Sequence, residues 1–161
     1  MGTTSTAAIF REMGFAQRTD ALEEAVLYSL ARTYSLLARE LVRVYVRFGL
    51  TAASFNLLML LKHGADPDAC TQQAIGTRLV VSPSDMTGLI DRLERKGLVR
   101  RTPGKDRRSK LLRITKKGAA LLDEVWPHHM EAVEHLAGVL SLGEARTLVA
   151  ALAKLRRAVG R

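Results

Sequence analysis

The chain has 161 residues, 47% of them hydrophobic, which suits one domain with a real core and excludes a mainly disordered protein. No apolar run approaches the roughly 18 residues of a membrane span, no charged-then-apolar signal segment opens the chain, and a single cysteine forms no internal disulfide, so a cytoplasmic protein is expected. The net charge of +9 is concentrated, because residues 92–117 hold twelve Lys or Arg against Glu94 and Asp106, a net +10 on an otherwise nearly neutral chain. Such a block favours a polyanionic partner, since each neutralised phosphate releases counterions.

Residues 1–19 have no clear period and are expected to form a flexible extension, although Ile9, Phe10, Met13 and Phe15 can make a short helix packing on a partner. Residues 20–49 carry Leu27, Leu30, Tyr34, Leu37, Leu41, Val44 and Phe48 at alternating spacings of three and four, a heptad-like stripe on a long helix closed by Gly49. Residues 50–61 are apolar on most sides apart from Asn56, which places them centrally in the subunit. Residues 71–79 read as a short helix capped by Thr71, with Ile75 and Leu79 inward.

Four signals mark a second short helix over residues 82–96. Ser82 suits the N-cap, Pro83 pre-sets the first helical φ, Asp85 has the position of a capping-box acid, and Val81 and Met86 have staple spacing. Met86, Leu89, Ile90 and Leu93 form its apolar face, and Ser84, Thr87, Gly88, Asp91, Arg92 and Arg95 lie outside before the Gly97 stop. Two short helices joined by a tight turn make a helix-turn-helix candidate, whose second helix enters the major groove.

Residues 98–114 then read as a hairpin, two strand-like runs around a Pro103-Gly104 turn. Such a hairpin is a wing. Lys105, Arg107 and Arg108 at its tip can reach phosphates or the minor groove, Lys110 adds charge on the return strand, and Asp106 suits an orienting partner for an arginine. Thr115 can cap a helix running to about Leu140 with a bend at Pro127, and Ser141 and Glu144 have capping-box spacing ahead of a last helix bearing Leu148, Leu152, Leu155 and Val159. The terminal helices carry more apolar surface than one small subunit covers, so a homodimer is expected.

The run GLVRRTPGKDRRSKLLRITKKG, preceded by SPSDMTGLIDRLERKG, resembles the winged helix-turn-helix of the multiple-antibiotic-resistance regulator (MarR) family, through Asp106, Arg108, Ile114-Thr115 and Gly118. The resemblance implies a mainly α fold with a small β-hairpin: a winged domain over residues 50–118 flanked by dimerisation helices over 20–49 and 119–161. It further implies a homodimer that binds double-stranded DNA at a pseudo-palindromic operator and answers to a small molecule or oxidant. By position, Arg108 is then the minor-groove arginine and Asp106 its partner, while Ser84, Thr87 and Arg92 face bases and phosphates. Gly88 departs from the family pattern, which often has a longer polar side chain there.

The family also implies an effector pocket, for which Tyr34, His63 and Trp126 are candidates. Cys70 is expected to be an inert thiol. His128 and His135, seven apart, are separated by ~10.5 Å along a helix, too far to share a zinc ion, so no metal or cofactor is expected. No phosphate-binding glycine loop, nucleophilic triad or paired-carboxylate site emerges, and the chain is not expected to be an enzyme. A sequence-neutral architectural DNA binder and a winged-helix protein-interaction module are the rival readings.

Overall fold

A computed structural model describes residues 6–15, 21–64, 66, 70–79, 83–104 and 110–159. The chain divides into two compact units, Met1–Arg43 and Val44–Arg161. In the first, the segment expected to be flexible contains helix α1 (Thr6–Glu12), whose Ile9 and Phe10 are buried with Ala25 of α2 (Leu22–Val46). Phe10 and Tyr28 meet edge-on with centroids 5.8 Å apart, and Arg32 pairs with Glu12 at 2.9 Å. A seven-residue helix is marginal in isolation, and burial of two large side chains supplies what its length lacks. Those two side chains thus pack within their own chain. Along the heptad-like stripe, by contrast, Leu27, Leu30, Tyr34 and Leu37 are all exposed.

The second unit is organised by hydroxyl caps and left-handed glycines. Gly49, at φ +66°, stops the chain after α2, with its N–H donating to the Val46 carbonyl and Leu50 N–H donating to that of Tyr45. Thr51 caps α3 (Ala52–His63), its Oγ1 accepting from Ser54 N–H at 3.1 Å. Phe55, Leu57 and Leu58 of α3 are buried and Asn56 is exposed, so the helix is central as its composition requires. α3 packs against α4 (Gln72–Leu79), α5 (Pro83–Arg95) and α6 (Lys116–Ala137).

Strands β1 (Val99–Pro103) and β2 (Lys110–Ile114) pair antiparallel, with Arg101 opposite Leu112. β2 has a second neighbour: Thr71 bridges to Leu111, and Leu112 N–H donates to the Cys70 carbonyl at 2.8 Å. Both Leu111 and Leu112 are therefore buried, where simple alternation from the hairpin alone would bury only one of them.

Thr115 joins hairpin to helix. Its hydroxyl accepts from Gly118 N–H at 3.0 Å, capping α6, and donates to the Gly97 carbonyl at 2.7 Å. A Cβ at Gly118 would lie 2.2 Å from the Leu98 carbonyl oxygen, so the Thr-x-x-Gly spacing of the sequence is a steric requirement of this junction. α6 contains Pro127 and ends at Ala137, three residues short of the expected end, with Gly138 as its cap. Ser141 and Glu144 form the reciprocal box ahead of α7 (Leu142–Val159): Ser141 N–H donates to Glu144 Oε2 at 2.9 Å and Glu144 N–H to Ser141 Oγ at 3.4 Å. The Ser141 hydroxyl, donating to Glu144 Oε2 at 2.6 Å, and then the Ser141 N–H hold the Glu144 carboxyl below its ordinary value.

Candidate nucleic-acid interface

α5 is backed by a continuous apolar face. Met86, Leu89, Ile90 and Leu93 are each at most 2% exposed, which leaves Ser84, Thr87, Arg92 and Arg95 outward and Gly88 half-buried. Gly97, at φ +70°, ends the helix, and Leu98 N–H reaches back to the Leu93 carbonyl. The capping signals at Val81 and Ser82 lie outside the described residues, as do Lys105, Asp106, Arg107 and Arg108 at the wing tip. Lys110, at the start of β2, is exposed.

Gly88 is not demanded by packing. Among the described residues a Cβ there would meet only Arg92 Nη1, at 3.4 Å, an ordinary contact with the end of a flexible side chain. The position therefore carries no side chain between the helix backbone and the Arg92 guanidinium. Beside it, Gln72 at the start of α4 donates from Nε2 to Thr87 Oγ1 at 2.7 Å, linking the two helices of the helix-turn-helix. Gln72 escaped the sequence reading because a lone glutamine in a first turn carries no periodic signal.

The basic block divides into cations with internal duties and cations on the surface. Lys96 Nζ donates to the Gly49 carbonyl at 2.7 Å and Lys117 Nζ to the Lys96 carbonyl at 2.9 Å, each closing a helix end where carbonyls lack partners. Arg101 of β1 binds Asp91 Oδ1 at 2.6 Å and also pairs with Glu94. Its guanidinium is held further above its already high ordinary value, chiefly by the bond to Asp91. Arg92, Arg95, Arg100 and Lys110 are exposed.

Of the three candidate effector residues, the structure brings two together. His63 and Trp126 have ring centroids 6.5 Å apart and line a recess of about 340 Å³ with Met59, Leu122 and Asp123. Tyr34 belongs to the Met1–Arg43 unit and is 72% exposed. His129 packs among aromatic rings: its Nδ1 is hydrogen-bonded to the Tyr45 hydroxyl at 3.0 Å, and its ring centroid lies 4.7 Å from that of Phe55 and 5.4 Å from that of Trp126. Burial pushes the His129 imidazole below its ordinary value and the Tyr45 hydroxyl above. A second open groove, of about 460 Å³, runs past His63, His129 and Arg78. Cys70 is buried, its thiol directed to the Asp66 carbonyl at 3.5 Å.

Residues 48–109, the segment that holds the helix-turn-helix and the first wing strand, match the model of the MarR family. The HTH-type transcriptional regulator PecS of Dickeya dadantii (strain 3937) is 32% identical over 133 residues, 82% of this chain and 80% of PecS. This chain belongs to the MarR family. It is a DNA-binding transcriptional regulator with the winged helix-turn-helix described above. A MarR-family regulator from Streptomyces coelicolor has the same fold at a TM-score of 0.74, with 30% identity, covering 87% of this chain and 96% of that one. BpsR of Bordetella bronchiseptica, whose DNA binding is regulated by 6-hydroxynicotinic acid, matches at a TM-score of 0.72 and 26% identity over 81% of this chain and 98% of its own. PecS and the Streptomyces coelicolor protein are regulators of transcription, and no single helix among the described residues of this chain is long and apolar enough to cross a membrane.

Proposed function

We propose that this MarR-family regulator works as a homodimer on an inverted-repeat operator, as a repressor released when a small molecule binds. The observation that carries the reading is the two-faced α5: an apolar side sealed into the lobe, and Ser84, Thr87, Arg92 and Arg95 presented together on the other. In this reading Ser84, Thr87 and the bare backbone at Gly88 meet base edges. Arg92, Arg95, Lys105, Arg107 and Lys110 meet phosphates, and Arg108, steadied by Asp106, enters the minor groove. The exposed stripe of α2 and the apolar side of α7 are the surfaces a second copy would cover, and two recognition helices about 34–36 Å apart then read successive major grooves.

Ligand response is supported by the likeness to BpsR and by the two recesses around His63, an apolar lining with a few polar groups of the kind that binds small organic molecules. A ligand that fits one arrangement of two lobes better than another shifts the population away from the DNA-competent spacing. Selection of bound sequences from a random duplex pool tests the proposal, with an inverted repeat as the expected product. Equal competition by selected and random duplexes would instead establish the architectural binder.

A further inference from the structure

Two carboxylates on the recognition helix pose a charge problem. Glu94 lies in the last turn of α5, where unpaired carbonyls make the helix end negative and disfavour an anion. Asp91 follows Ser84 by seven residues and Thr87 by four, so it shares their outward stripe, where a bare carboxylate would face phosphates. Arg101 answers both. Its Nη2 donates to Asp91 Oδ1 at 2.6 Å and its Nη1 to Glu94 Oε2, while its backbone N–H donates to Glu94 Oε1 at 3.0 Å. The guanidinium fork thereby spans two acids spaced i and i+3, a geometry that one ammonium group cannot reproduce. Arg101 is the most withdrawn member, 23% exposed against 49% for Asp91 and 38% for Glu94.

We propose that Arg101 is a positioning residue for DNA recognition: reaching from the wing to the recognition helix, it cancels the charges of Asp91 and Glu94 toward the duplex, rather than touching DNA itself. The inference rests on the DNA-binding reading of the lobe, and it sets Arg101, which neutralises acids on the recognition helix, apart from the cations that meet the duplex.

Arg101→Met, the triple variant Arg101→Met/Asp91→Asn/Glu94→Gln, and a charge-matched control carrying Arg101→Met with Glu131→Gln and Glu134→Gln test it. The probe is a labelled duplex selected by the wild-type protein from a random pool. Arg101→Met is expected to bind about tenfold more weakly or worse, because like charges are then set against each other across the interface. The triple variant is expected within about threefold of wild type, while the charge-matched control stays weak, since its neutralised acids lie on α6. Wild-type affinity in Arg101→Met, a triple variant as weak as the single one, or a control that recovers equally would each overturn the proposal. If Arg101→Met does not fold by circular dichroism, the triple variant decides: folded and binding supports the proposal, folded without binding or unfolded overturns it. A wild-type protein that selects no duplex would defeat the DNA-binding reading instead.

Discussion

In α5 every apolar side chain of the helical stripe is buried, from Met86 to Leu93, whereas α7, with Leu148, Leu152, Leu155 and Val159 on the same spacing, has no buried residue among those described. The two helices obey one periodicity and meet different fates because α5 has α3, α4 and β1 to pack on within its own chain. Periodicity shows that a face is apolar; it does not show what covers it. In the proposed dimer the partner covers α7, and the contrast between the helices becomes one between lobe stability and assembly.

Truncation inside the lobe should have the largest effect. Ile90→Ala, at a fully buried position, is expected to lower the unfolding free energy by about 2–4 kcal/mol in urea titration, through lost transfer energy and a residual cavity. Leu148→Asp on α7 should leave helical content nearly intact and instead shift sedimentation toward monomer at micromolar concentration. A variant that remains dimeric would remove this part of α7 from the interface.

Gly88→Ala sharpens the contrast within α5. Its Cβ has room and improves helix propensity, so the lobe should gain about 0.5–1 kcal/mol while affinity for the selected duplex falls. A gain in both would show that the DNA backbone does not approach this position. The smallest effect concerns His129, whose imidazole is depressed below its ordinary 6.5 by burial. As pH falls through 6.5 the unfolded chain takes up the proton before the folded one, so stability present at pH 7.5 declines on acidification. The urea midpoint of wild type should therefore fall more steeply between pH 7.5 and 5.5 than that of His129→Leu.

Much of this fold is written locally. Thr51, Thr115 and Ser141 cap helices because their hydroxyls meet N–H groups three residues on, and Gly49 and Gly97 stop helices because they adopt positive φ. What escaped sequence reasoning joins residues far apart. The Cys70-Thr71 segment beside β2, the Gln72–Thr87 link and the Tyr45–His129 bond leave no periodic trace, because their partners are separated by 15 to 84 residues or set by strand register. The short helix around Ile9 and Phe10 was legible as an option, but not that it packs on Ala25 of its own chain, because no period links the two segments. Arg101 looked like one of twelve cations, and only the coordinates of Asp91 and Glu94 give it a separate role.

The central claim is that two copies of the lobe read one duplex. Native mass spectrometry of the protein mixed with its selected duplex tests it most directly: the expected species holds two chains per duplex, with no abundant one-chain complex at equimolar ratio. A dominant one-to-one complex of undiminished affinity would contradict it.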